Sequence, residues 1–353
     1  MITEEELDSP IASFPEELLE RILALVVIAP STPQQLTHRA AWHSTTTSSS
    51  TSTPTTSPSK TKPPRGRIAP LLVSRTFYRI ALPLFYHTIP LPSPAHAAAL
   101  LHTLATRPSL TCFPRTLLLL QPGALDAEVL RALPRLEVLH VTLPTPTPES
   151  FSGWKNQEPM RALCGALREV STLRAMVVRK DKGTYLSQPT TRALLKALAG
   201  AVRRSDGLET FTTTFPLSTD PALAPLTSAL AAKPLLHTLT TPIPAVPSSA
   251  LAYAAVAENP ALRCVRFSSS SCDNSSALSC NNGNNHTTTV LSTSLFLTAA
   301  RAWPRLGSLI RAGTAITATA GSTTAAASSS RARASTTAAC AGVGVNGRKG
   351  CRV

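Results

Sequence analysis

Five times between residues 136 and 267 the chain repeats one short register: a leucine, an apolar residue three positions later, and an apolar residue or threonine two positions after that. The copies are Leu136-Leu139-Val141, Leu173-Met176-Val178, Leu208-Phe211-Thr213, Leu236-Leu239-Thr241 and Leu262-Val265-Phe267, with Leu306-Leu309 as a weaker sixth. The last two positions of each copy are two residues apart, so on a strand they share a face. Between the copies, residues 160–170, 191–203, 221–232 and 249–258 have helical patterning, and each segment stops at Pro, Gly or a polar turn. A strand and a helix in steady alternation predict an α/β fold. Each unit buries its apolar face by stacking on the next, as in a βα solenoid. An open α/β sheet has the same alternation and is the alternative. Successive copies begin 37, 35, 28, 26 and 44 residues apart. The shorter steps lie in the range of about 20 to 29 residues typical of leucine-rich repeats, and the longer ones imply insertions.

On such strands the intervening residues face outward. They are Val138, His140 and Thr142; Ala175, Val177 and Arg179; Thr210, Thr212 and Thr214; Thr238 and Thr240; and Cys264 and Arg266. Of these, His140, Arg179, Thr210, Thr212, Thr238 and Arg266 are the candidate substrate-binding residues. They would form a threonine-rich face in which the two arginines can contact acids.

Three stretches interrupt the apolar patterning. Ser and Thr fill 15 of the 18 positions in 44–61, inside a Ser/Thr/Pro insertion expected over 31–66. A Ser/Asn/Thr tract covers 268–290, and Ala, Thr, Ser, Gly and scattered arginine fill 313–353. None holds enough apolar surface to offset its ordering entropy, so all three are expected to be disordered. Gly342, Gly344 and Gly347 have dinucleotide-loop spacing, but no strand pattern precedes them and only six residues follow, too few for the helix that would receive a pyrophosphate. The expected organisation is an acidic tail at 1–10, a helical domain at 11–92 interrupted by 31–66, a repeat domain at 93–312 interrupted by 268–290, and a basic tail at 313–353.

In the helical domain, Ser13-Phe14-Pro15-Glu16 has a capping pattern with proline in the first turn. Leu18, Leu19, Ile22, Leu23 and Val26 then recur at helical spacing. Beyond the Ser/Thr tract, Ile68, Leu72, Val73, Phe77 and Ile80 form a second stripe, which Pro83 is expected to end. The segment from Phe14-Pro15-Glu16-Glu17-Leu18-Leu19 to Ile22-Leu23, followed by Leu71-Leu72-Val73-Ser74-Arg75-Thr76-Phe77-Tyr78-Arg79-Ile80-Ala81, resembles the F-box. Phe14 stands where that motif usually has leucine and Phe77 where it usually has tryptophan. The resemblance implies F-box-like helices that bind a Skp-type adaptor, and through it a cullin-RING ligase, by way of Phe14, Pro15, Leu18, Leu19, Ile22, Leu23, Leu72, Val73 and Phe77. The strand and helix units resemble the irregular leucine-rich arrays that often follow an F-box, which implies that they hold a protein substrate. A non-catalytic leucine-rich scaffold with a degenerate F-box is the alternative.

Composition narrows the remaining classes. The longest strongly apolar run, 22–29, is too short for a bilayer, and Glu4, Glu5, Glu6 and Asp8 occupy the place of a basic signal-peptide region. A cytoplasmic or nuclear protein without a membrane span is expected. The net charge of +15 lies largely in the segments without apolar patterning, so nucleic acid is not the expected partner. Seven cysteines without a C-x-x-C pair fit neither a disulfide framework nor a zinc site. The dispersed histidines complete no H-E-x-x-H and the serines no G-x-S-x-G, so no enzyme, cofactor or metal is expected.

Overall fold

The computed structural model describes residues 15–27, 69–145, 158–181, 183–268 and 295–314. The repeated register falls on the strands of one parallel sheet, β1 (Thr88–Leu91), β2 (Thr116–Leu119), β3 (Val138–Leu143), β4 (Ala175–Lys180), β5 (Thr210–Thr213), β6 (Thr238–Pro242) and β7 (Cys264–Ser268), in spatial order β1 to β7. Parallel neighbours need crossovers, which helices provide. These are α3 (Pro94–Thr106), α4 (Asp126–Ala132), α5 (Glu158–Glu169), α6 (Pro189–Arg204), α7 (Ala224–Ala231) and α8 (Ser249–Ala257). Each packs beside the next, from α3 on α4 through α7 on α8. The result is a two-layer α/β stack with one strand and one helix per step, solenoid-like in that each step contacts its neighbours.

Pairing aligns the inward positions into continuous rows across the sheet. Ile89, Leu117, Leu139, Met176, Phe211, Leu239 and Val265 form one row, and all are buried against the helices. The leucine that opens each copy, such as Leu136, Leu173, Leu208, Leu236 or Leu262, closes the core below them. Burying each such side chain contributes roughly 1.5–3 kcal/mol. In the second inward row Thr213 and Thr241, both buried, precede Phe267. Thr213 donates to Phe215 O at 2.7 Å, and the Thr241 and Tyr253 hydroxyls lie 2.9 Å apart.

Two units precede the first copy visible in the sequence. By register, Leu117 and Leu119 match Leu139 and Val141, and Ile89 and Leu91 match Leu117 and Leu119. Their opening positions, three residues earlier, are Pro114 and Tyr86 rather than leucine. The sheet therefore starts at Thr88, inside the segment assigned from sequence to the helical domain. The sixth copy is not a strand. Leu306 and Leu309 are buried in a helix at 304–314, because a spacing of three fits a helix face as well as the start of the strand register. That helix runs through Gly313 and Thr314, where the basic tail was expected to begin.

Each sheet edge carries a feature that hinders further pairing. The carbonyls of His87 and Leu91 accept bonds from the β2 side, so by alternation Pro90 turns its nitrogen, which has no hydrogen, to the open edge of β1. At the other end, Gly313 lies so close to β7 that a Cβ there would overlap the Val265 carbonyl. Phe296, on the preceding helix at 295–301, stacks edge-on against Tyr253 and Phe267 at 5.5 and 5.7 Å.

Side chains of successive units link the helix ends. Three residues before the opening leucine stand Lys233 and Asn259, both buried. Lys233 Nζ donates to Arg203 O at the end of α6 (2.6 Å) and to Asp206 Oδ1 (3.1 Å). Asn259 Nδ2 donates to Leu230 O (3.1 Å) and Lys233 O (2.7 Å) at the end of α7, and its Oδ1 accepts from Ala261 N. Arg305 Nη2 then donates to Asn259 O beyond α8 at 2.6 Å. Each helix leaves carbonyls without intrahelical partners, and here the following unit supplies the donor.

The N-terminal helix α1 (Glu16–Val27) packs on α2 (Arg75–His87), which runs directly into β1. Glu16 and Glu17 sit in the first turn of α1, where the helix dipole favours them. Ser74 caps α2 by accepting from Phe77 N at 3.2 Å. Pro83 lies within α2 rather than ending it: the helix forgoes one backbone bond and continues to His87. Ser13, Phe14, the tails at 1–10 and 315–353, the insertion at 31–66 and most of that at 268–290 lie outside the described residues.

Candidate protein-binding surfaces

The apolar arc of α1 is wider than α2 covers. Leu19, Leu23 and Val27 are buried against α2, around Ala81 with Phe77, Ile80 and Leu84. Turned away from this seam are Leu18 (43% exposed), Ile22 (49%), Leu25 (76%) and Val26 (46%). Leu18, Ile22 and Leu25 follow one another at spacings of four and three, so they line one face. Before α2 a 3₁₀ turn at Ala69–Leu72 leaves Leu72 81% and Val73 58% exposed. Arg79 pairs with Glu16 across the two helices.

The nine residues expected to bind an adaptor therefore separate by position. Pro15, Leu18, Ile22, Leu72 and Val73 are at the surface. Leu19 and Leu23 face α2, and Phe77 is partly buried in the same cluster, so these three hold the helix pair together rather than offering contact area. The apolar spacing alone put Leu18, Leu19, Ile22 and Leu23 on one stripe, because it does not say where on a broad arc the second helix lies. Leu25 and Val26 extend the exposed face; Val26 belongs to the helical stripe read from sequence, whereas Leu25 was not singled out. Phe14 lies outside the described residues.

The second surface is the side of the sheet away from the helices. Register aligns Pro90, Leu118, His140, Val177, Thr212, Thr240 and Arg266 in one row across all seven strands, and Thr88, Thr116, Val138, Ala175, Thr210, Thr238 and Cys264 in the next. Arg179 stands beside Thr142 in a third. All six candidate substrate residues thus share this face, with His140, Thr212 and Arg266 in the first row and Thr210 and Thr238 in the second. Thr210 is exposed, while His140, Arg179, Thr212, Thr238 and Arg266 are half-buried by their neighbours. Burial first, and then the charge of Arg179, push the His140 imidazole down to about 4, so it is neutral at physiological pH. Burial lowers the Arg179 guanidinium too, with Asp181 acting in the opposite sense.

One row earlier, at the start of the strands, the charges alternate. Backbone bonds align His87, Arg115, Glu137, Arg174, Glu209, His237 and Arg263 across the sheet. Arg115 Nη1 pairs with Glu137 at 2.9 Å, and Arg174 approaches Glu209 at 3.9 Å. This rim largely neutralises itself, a pattern not read from sequence because its members are 22 to 37 residues apart and alternate only once the strands are aligned.

A hollow of about 170 Å³ between α5 and α6 is lined by Met160, Arg161, Cys164, Arg168, Pro189, Thr190 and Ala193. Burial raises the Cys164 thiol, and no carboxylate or imidazole lines the hollow to act as base. Among the described residues no group of three or more His, Cys, Asp or Glu is placed to hold a metal ion, and no helix is long and apolar enough to cross a membrane. No protein-family model, curated protein or solved structure matches the chain.

Proposed function

We propose that the chain is the substrate-recognition subunit of a Skp-cullin-F-box type ubiquitin ligase. In this reading α1, α2 and the turn before α2 are the F-box-like part, and the exposed apolar face formed by Leu18, Ile22 and Leu25, together with Leu72 and Val73, receives the Skp-type adaptor. That face is the observation that carries the proposal. A helix of this length does not leave leucine and isoleucine in water on one continuous side without cost, and contact with a partner recovers the burial. The βα stack, with units of 26 and 28 residues among its longer ones, is then leucine-rich-repeat-like and holds a protein substrate. The contribution is proximity: ubiquitin transfer takes place on other subunits, and the chain raises the local concentration of the substrate beside them.

The test is co-purification of the full chain with a Skp-type adaptor, wild type against a Leu18→Asp, Ile22→Asp double variant. Both positions are half-exposed, so the variant should keep the wild-type circular dichroism spectrum while losing adaptor. A wild-type chain that brings down no adaptor, or a folded variant that brings down as much as wild type, would refute the proposal.

A further inference from the structure

The outward positions of the seven strands carry the guanidiniums of Arg179 and Arg266 and no carboxylate. Glu137 and Glu209 lie instead on the alternating rim, where they face Arg115 and Arg174, and Asp181 follows β4 next to Arg179. Between the two outer arginines lie Val177, Thr212 and Thr240, level with one another by register. These short side chains leave room for another backbone to approach, and the Thr212 and Thr240 hydroxyls can both donate and accept hydrogen bonds. Arg266 Nε is shielded from solvent and has no hydrogen-bond partner among the described residues.

The spacing of the two charges follows from the register. Arg266 is level with Val177, two residues short of Arg179, and three strand intervals separate β4 from β7. At about 4.8 Å per interval and about 3.3 Å per residue, the two positions are about 14 Å apart across the sheet and about 7 Å along it, or about 16 Å in all. An extended peptide covers that distance in about five residues.

We propose that this face takes an extended acidic segment of a partner protein, lying across β4 to β7, whose two carboxylates about five residues apart pair with Arg179 and Arg266. This rests on the substrate-receptor reading above and names the class of substrate segment. Guanidinium forks suit carboxylates, and the neutral threonines between them suit uncharged residues between the acids. A nucleic-acid strand carries a charge at every nucleotide and would require a row of cations where this face has hydroxyls. The incoming acid competes with Asp181 for Arg179, whereas Arg266 has no carboxylate at a neighbouring outward position.

The full chain, immobilised, is to be panned against a displayed library of random 12-residue peptides. The expected result is enrichment of sequences with two acids four to six residues apart. For a selected peptide, moving the acids to two residues apart should weaken binding about threefold, the loss of one of the two half-exposed charge pairs. An Arg179→Ala, Arg266→Ala variant with an unchanged circular dichroism spectrum should lose the acid preference. Enrichment without acid bias, indifference to acid spacing, the same selection by the double variant, or displacement of the peptide by a random-sequence 20-nucleotide DNA would each overturn the inference. Adaptor co-purification is scored in parallel. Adaptor recruited without acidic selection defeats this inference alone, and acidic selection without adaptor defeats the ligase reading alone.

Discussion

Replacing Asn259 by leucine tests whether side chains that reach from one unit to the helix end of the previous one hold the stack together. The residue is 1% exposed and its amide makes three bonds, donating to Leu230 O and Lys233 O and accepting from Ala261 N. Leucine has a similar volume, so the cavity contribution is small and the loss is polar. Leu230 O keeps its backbone bond from Lys233 N at 3.3 Å, whereas Lys233 O and the Ala261 N–H are left facing hydrocarbon. One lost bond and two stranded buried groups sum to about 3 kcal/mol, a large fraction of the 5–15 kcal/mol typical of a folded domain. Urea denaturation of the full chain followed by far-UV circular dichroism should give that loss. Hydrogen exchange at the Ala261 amide should accelerate about a hundredfold while the β2 amides change less. Asn259→Asp keeps the acceptor for Ala261 but turns a carboxylate toward two carbonyls, so at neutral pH it should be at least as damaging. A leucine variant within about 0.5 kcal/mol of wild type would mean that the unit-to-unit caps are incidental and that apolar stacking alone sets cooperativity.

Two further outcomes follow from single residues. His140 titrates at about 4 in the fold against 6.5 when exposed, so the unfolded chain binds the extra proton first and wild type should lose stability as pH falls from about 6.5 to about 4. His140→Gln should flatten the loss over that window, and parallel curves for the two proteins would show that the imidazole is not held neutral. Gly313→Ala should destabilise the terminal helix, because the added methyl overlaps the Val265 carbonyl at a backbone that cannot retreat. Proteolysis of the full chain should then cut sooner within 304–314, and an unchanged cleavage pattern would refute the close approach.

The βα alternation was legible because each strand sits beside its own register leucine. The segments expected to be helical at 160–170, 191–203, 221–232 and 249–258 differ by only a few residues from α5, α6, α7 and α8. The units around β1 and β2 were not legible, since Tyr86 and Pro114 replace the leucine and Pro90 argues locally against a strand. Only its place at the edge makes Pro90 acceptable. Leu306-Leu309 misled for the opposite reason, a local match with no pairing partner to draw it into the sheet. At the N-terminus the spacing gave the helices but not which side of the α1 arc meets α2, so Leu19 and Leu23 were grouped with Leu18 and Ile22. The alternating rim from Arg115 to Arg263 and the caps from Lys233 and Asn259 depend on contacts between units and have no signature within a single one.

Pro90 at one edge and Gly313 at the other make the two ends of the stack chemically unlike its interior and unlike each other. Any inner strand has a neighbour of its own kind on each side, whereas β1 carries Pro90, which cannot donate, and β7 lies beside a helix that fits only through a glycine. A second molecule therefore meets one missing donor at the β1 edge and a helix beside β7, both of which weaken further strand pairing. The same asymmetry separates the places where the stack could be lengthened: a unit inserted between β2 and β6 would meet two compatible neighbours, while one added outside β1 or β7 would meet a proline or a helix. The breadth of the outward face is then set by the number of inner units.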